Sequence, residues 1–308
     1  MSSDSPMYDS SNLFEFRTTQ CKPIKTLFDV LKENMSDVNI YFTKAGMRIY
    51  SIDPSQTVLI NVELEADSFD HYYCREEYDD KGQPIPILIN VSVLNLNRIF
   101  KGISATDNIM IWTYSLMHRD NQKENTESLN IIIASNAKGE DRYYKVTLQD
   151  TDDQKTAVVG DAINEYPIIL TMPCSDFQKI CRDLKNINTT DVKIEYKTHD
   201  NEHQLVFSSM SDIAESSLVR TGHHGDEKAN SETAVIFKKL PESGVSCYSD
   251  DFNFESLHNF SKCANIGSKG GNLVKIHLSE ENPMGLVFKI GTLGEILFVL
   301  APKEDEDE

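Results

Sequence analysis

The chain has 308 residues, enough for one large core or two medium ones, since single cores stop growing near ~250–300 residues. An apolar fraction of 39% and a charged fraction of 26% are ordinary for a globular protein and exclude global disorder. The formal charge of −19 argues against nucleic acid as a partner, unless the positive residues are segregated onto one surface.

The polar, acidic start Met1–Ser11 lacks the apolar core of a secretory signal, and no run approaches the ~18 apolar residues of a membrane span. A soluble intracellular chain with no membrane partner is expected. Alternating apolar patterns then mark short strands at Leu13–Thr18, Thr57–Leu64, Pro86–Asn90, Asn108–Leu116, Ser128–Ala134, Asp191–Lys197 and Asn272–Ser279. Four segments read as helices, about 23–34, 92–102, 175–186 and 252–263. Each helix follows a strand and precedes about three more, so a βαβββ unit occurs four times. The fold class expected is α+β.

The helices share a signature: an apolar residue, a second three positions on, and a base two beyond that. The instances are Leu27, Val30, Lys32; Leu96, Ile99, Lys101; Phe177, Ile180, Arg182; and Leu257, Phe260, Lys262. At 100° per residue the apolar pair shares a face and the base lies across the helix from it. Over the four helices the bases are Lys25, Lys32, Arg98, Lys101, Lys179, Arg182, Lys185 and Lys262, and the acids are Asp29, Glu33, Asp176, Asp183 and Glu255. Eight bases against five acids leave +3 on the helices and −22 on the rest of the chain. A single outward lysine is ordinary solvation. Segregation of positive charge onto one class of element is the footprint of a phosphate-contacting surface.

The acidic stretch Gln149–Glu165 breaks the strand pattern, with a small apolar island at Ala157–Val159. It divides the chain into an N-terminal domain (1–149), a connector (150–165), a C-terminal domain (166–302) and an acidic tail (303–308). Six cysteines without a CxxC pair argue against disulfides and structural zinc and read as small core fillers. His199 and His203 flank a polar turn, and the cluster Asp150, Asp152, Asp153 reads as solvated linker, so no metal site is expected. The glycine-rich run Gly267–Gly271 reads as a hairpin turn. No nucleotide-binding or nucleophile motif occurs, so no cofactor and no enzymatic activity are expected.

Local sequence adds a resemblance. Phe14-Glu15-Phe16-Arg17 with Gln20, Ser51-Ile52-Asp53-Pro54-Ser55, Phe69-Asp70-His71-Tyr72-Tyr73-Cys74, Met172-Pro173 before Ile180-Cys181-Arg182-Asp183-Leu184, and Leu300-Ala301-Pro302-Lys303 keep the order of matching segments in proliferating cell nuclear antigen sliding clamps. The chain resembles that family from residue 13 to its acidic end. The resemblance implies a head-to-tail homotrimer that encircles double-stranded DNA, its basic helices lining the hole. It implies a subunit interface drawing on Tyr144, Val146, Leu148, Phe177, Cys181 and Leu184, with edges at Tyr143–Leu148 and near Ser211–Arg220. It also implies a pocket formed by Ile52, Gln56, Val158, Val159, Tyr166, Pro283, Met284, Val299, Leu300, Ala301 and Pro302. There, related clamps accept a Gln-x-x-aliphatic-x-x-aromatic-aromatic motif. Expected partners are DNA polymerase, a clamp loader and other proteins bearing that motif, in the nucleus or at a site of viral DNA replication. Glu255 stands where related clamps often place a base. A subunit of a heterotrimeric checkpoint-type clamp and, more remotely, a metal-dependent nuclease remain as alternatives.

Overall fold

Period-two alternation and four amphipathic helices account for nearly every element. The computed structural model describes residues 12–104, 109–117, 126–135, 139–150, 166–199, 202–225, 235–241, 247–266 and 272–303. The connector residues 151–165, the run Gly267–Gly271 and the acidic tail from Glu304 lie outside them. The chain divides into two compact units, Met1–Tyr50 with Val62–Asp153, and Ser51–Asn61 with Gln154–Glu308.

One βαβββ pass runs through β1 (Asn12–Thr18), α1 (Cys21–Leu31), β2 (Asp37–Thr43), β3 (Gly46–Ile52) and β4 (Val58–Glu65), all in the first unit except Ser51–Asn61. Then come β5 (His71–Cys74) and a small hairpin of β6 (Glu77–Tyr78) and β7 (Pro84–Ile85). A second pass follows: β8 (Ile87–Ser92), α2 (Val93–Lys101), β9 (Ile109–Met117), β10 (Thr126–Ser135) and β11 (Glu140–Val146). The passes exchange their first strands. β1 enters a sheet ordered β11-β10-β9-β1-β5, while β8 pairs with β2.

The second unit repeats the plan. Its first pass is β12 (Ile168–Pro173), α3 (Cys174–Asn186), β13 (Asp191–His199), β14 (Glu202–Met210) and β15 (Glu215–His224). After β16 (Val235–Lys239) come β17 (Cys247–Asn253), α4 (Phe254–Ser261), β18 (Leu273–Leu278), β19 (Met284–Ile290) and β20 (Gly294–Leu300). Here β12 pairs with β18 and β17 with β13, and β16 joins the two sets, antiparallel to β12 and parallel to β15.

Each unit buries the inward stripe of its two helices on its sheets. Phe28 of α1 meets Phe100 of α2 edge-on at 5.2 Å, and both lie over Trp112 of β9. In the second unit Phe260 stacks on Phe298 at 4.1 Å, and Phe177 lies 6.1 Å from Phe288. Burying each such ring contributes ~1.5–3 kcal/mol, which anchors the helices from below and leaves their outer faces free to carry charge. Gly46 is required by close approach: its φ is +143°, and a Cβ there would sit 2.0 Å from the Leu64 carbonyl oxygen.

Helix ends differ from expectation by local chemistry. Helix α1 begins at Cys21 because Pro23 falls in the first turn, where no intrahelical donor is missed, and it ends at Leu31 with Lys32 as C-cap. Helices α2 and α4 start behind Ser92 and Asn253, whose side chains accept from the backbone N–H of Asn95 and Ser256. Helix α4 stops at Ser261, so Lys262 is also a C-cap. Five cysteines are buried, with Cys174 and Cys181 thiols pushed up to about 12 by desolvation, while Cys247 at the start of β17 is exposed.

Candidate functional site

Helix α3 shows the pattern most plainly. Phe177, Ile180, Cys181 and Leu184 are buried on one side, and Lys179, Arg182 and Lys185 form an exposed stripe on the other. Steps of three residues move only ~60° around the axis, so the three bases share one face. Arg98 and Lys101 do the same on α2, where they also complement the dipole of the last turn. Lys22, in the first turn of α1, is exposed as well; placing the helix start at residue 23 left it out of the sequence reading.

The remaining predicted bases are not equivalent to these. Lys25 turns sideways, its Nζ donating to the carbonyl oxygens of Ile103 (3.1 Å) and Lys101 (3.4 Å), and so caps the C-terminus of α2. Arg142 supports the same end by donating to Gly102 O at 2.7 Å. Lys32 is half-buried between Asp29 (3.9 Å) and Glu33 (3.7 Å), which offset its charge. Lys262 is half-buried and donates to Asn259 Oδ1 at 3.1 Å. A regularly placed base in the sequence therefore becomes two kinds of residue, according to what each side chain meets: carbonyls at the end of α2 for Lys25, two acids for Lys32 and an amide for Lys262.

The helices of each unit are tied side by side through polar groups. Asn97 Nδ2 donates to Asp29 Oδ1 at 2.7 Å across α1 and α2. Lys185 Nζ lies 2.8 Å from His258 Nε2 across α3 and α4. His258 was missed by a search for bases alone; its spacing three positions after Glu255, on the half-exposed side of α4, was the available signal.

Among the described residues, open strand edges include those of β11 and β15. β11 is the outermost strand of its sheet, and Glu215–Thr221 of β15 pairs with β14 on one side and with no strand on the other among the described residues. Tyr143 on β11 is 71% exposed, and Met210, Ile213 and Val219 around the β14–β15 turn are 81%, 63% and 50% exposed. None of the residues that the resemblance implies for the interface is among these exposed large apolar side chains. Tyr144 and Val146 pair with the fully buried Ile131 and Leu129, so their phase turns them toward their own core; Leu148 lies beyond the strand end. Phe177, Cys181 and Leu184 are likewise sealed within the second unit and can support an interface only from beneath it.

A second surface involves segments remote in sequence within the second unit. Ala301 N donates to Thr57 O at 2.9 Å, fastening the end of the chain beside the 53–58 turn. That turn is knitted by Asp53, whose carboxylate accepts from Val58 N (2.7 Å), Thr57 Oγ1 (3.3 Å) and Ser55 Oγ. Gln56 takes the left-handed position with φ of 59°. Burial pulls the Asp53 carboxyl upward, but these hydrogen bonds outweigh it and hold the group below the usual carboxylate value. Ile52 is 46% exposed, Pro283 and Pro302 are exposed, and Val299 and Ala301 are half-buried. Met284, Leu300 and Tyr166 are instead buried, Tyr166 by donating its hydroxyl to Pro283 O and packing edge-on against His277. Val158 and Val159 lie outside the described residues.

A family model described as the proliferating cell nuclear antigen N-terminal domain matches residues 13–156, and one described as the C-terminal domain matches residues 162–303. The chain is 27% identical over 297 residues to "Probable DNA polymerase sliding clamp 1" of Paramecium bursaria Chlorella virus 1, covering 96% of this chain and 99% of that protein. It is 26% identical over 296 residues to "Proliferating cell nuclear antigen" of Chaetomium thermophilum, covering 96% and 100%.

Proposed function

The chain belongs to the proliferating cell nuclear antigen family, and from that premise we propose that it is a DNA polymerase sliding clamp, a processivity factor that closes around duplex DNA as a homotrimer. The observation that carries this reading is the exposed stripe Lys179, Arg182, Lys185 on a helix whose other face is sealed, in a chain of net charge −19. Phosphate contacts of this kind position the duplex without reading its bases, so the ring slides while topology retains it. The clamp performs no chemistry of its own.

In this reading the β11 edge of one copy pairs with the β15 edge of the next. Such a head-to-tail contact is heterologous and closes when the rotation is that of a ring. Closure also covers two open edges that would otherwise invite uncontrolled strand addition. Three copies sum to −57, so the rim repels free DNA while the helix faces attract phosphate at short range; with ~8–10 Å screening each surface acts on what lies near it.

The surface around Ile52, Pro283, Val299, Ala301 and Pro302 serves as the docking place for partner peptides of the form Gln-x-x-aliphatic-x-x-aromatic-aromatic, carried by the polymerase, the loader and other proteins. Its support is exposed apolar side chains on a fixed turn in an otherwise acidic molecule. Residence in the nucleus, or at a site of viral DNA replication, follows from the same role. Calorimetry with such a peptide should give micromolar affinity and one site per subunit, since several hundred Å² of burial at ~25 cal/mol per Å² is largely spent on ordering the peptide. Ile52→Ser should weaken it about tenfold; an unchanged affinity places the partner site elsewhere.

A further inference from the structure

Lys185 and His258 reach each other from different helices of one unit, with Nζ 2.8 Å from Nε2. The elements beneath them are fixed: Leu184 and Leu257 are fully buried, and the imidazole lies parallel to the Phe254 ring at 5.9 Å. An ammonium has only donors, so the ring nitrogen facing it is an acceptor and the imidazole is neutral in the free chain. Among the described residues, the charged groups acting on the ring are Lys185 from α3, Lys262 at the end of α4, and Glu255 from the first turn of α4; β13 and β17 beneath α4 contribute none. Burial, then the two lysines, hold the imidazole below its ordinary value.

On its own such a pair resists becoming doubly charged, since Lys185 disfavours a proton on the ring. An anion placed against both nitrogens stabilises the doubly charged form, because it accepts from Lys185 and from a newly protonated Nε2 together. We propose that Lys185 and His258 form a clamp for a DNA backbone phosphate that closes with uptake of one proton from solvent onto His258. The proposal rests on the sliding-clamp reading, in which the outer faces of α3 and α4 meet the duplex. It adds a contact residue that carries no fixed charge, and it makes DNA association by this chain pH-dependent. Between the free and the phosphate-bound ionisation of the ring, falling pH strengthens binding by up to about tenfold per pH unit for each proton taken up. Below the free value the ring is already charged and the gain levels off.

The test uses the full chain and a fluorescent duplex at low, constant salt, titrated from about pH 8 to about pH 5.5, the range of an imidazole. Calorimetry in two buffers of different ionisation enthalpy counts the protons. The wild-type chain should bind several-fold tighter at the acid end and take up protons. His258→Gln should lose most of both effects, whereas Arg182→Ala should weaken binding at every pH and keep the slope. The imidazole carbon proton of His258, followed by NMR in the wild-type chain with and without duplex, reads the same event without a variant; its midpoint should move up by about one unit or more. An equal pH slope and proton count in wild type and His258→Gln, or an unmoved midpoint, overturns the clamp. Binding that still depends on Arg182 in that case leaves the sliding-clamp reading standing, while duplex binding indifferent to Arg182 removes both.

Discussion

At the scale of single side chains, the outward bases separate by what else they touch. Arg182 and Lys101 are exposed on the helix faces, so changing either to Ala should alter stability by no more than about ±0.5 kcal/mol. Each lost phosphate contact should flatten the salt dependence of DNA association by about one unit of slope. Lys25→Ala should behave oppositely, costing about 0.5–1.5 kcal/mol in a denaturant titration because two carbonyls at the end of α2 lose their donor. An unstable Arg182→Ala beside a neutral Lys25→Ala would reverse these assignments. Asp53 supplies a pH test. Its native carboxyl lies below the unfolded value near ~3.9, so its stabilisation is complete above that value and is lost as pH falls through the native one. Asp53→Asn should remove that acid-side loss from the urea midpoint; an identical acid limb in the variant would contradict it. The stripes themselves were legible, because a 3.6-residue period is local. Which bases are engaged was not, since Lys25 meets Ile103 78 positions away and Lys185 meets His258 73 positions away.

At the scale of elements, the fourfold βαβββ plan could be read from alternation and from four amphipathic stretches, and the helices fall where they were placed to within a few residues. The exchange of first strands between passes could not, because pairings such as β1 with β9 join segments about a hundred residues apart with no local signal. Nor could the clustering of Ser51–Asn61 with the second unit, which is what sets the 53–58 turn beside Ala301. The phase of β11 was not legible either: Tyr143 faces out while Tyr144 and Val146 face their own core, and a one-residue difference flips every side chain of a strand. The proposed interface therefore turns on Tyr143 and Val219. Replacing both by Lys puts uncompensated charge at the two edges and should yield monomers by light scattering with far-ultraviolet circular dichroism unchanged. Trimers that survive the double change would move the interface to other surfaces.

At the scale of the whole molecule, a strongly acidic chain that handles DNA makes sense only as an arrangement of charge. In the proposed reading the net charge repels random polyanions while the helix faces carry the attraction. The free assembly should weigh about 105 kDa, three times the 34.9 kDa of one chain, and a monodisperse monomer at micromolar concentration would count against a self-sufficient ring. Encirclement is the central claim, and the most direct measurement of it compares retention on closed and open DNA. With a loader present, the chain should remain on a nicked circular duplex through gel filtration at high salt and be lost when one double-strand cut linearises that circle. Equal retention on circle and linear duplex would mean that contacts, and not topology, hold the protein to DNA.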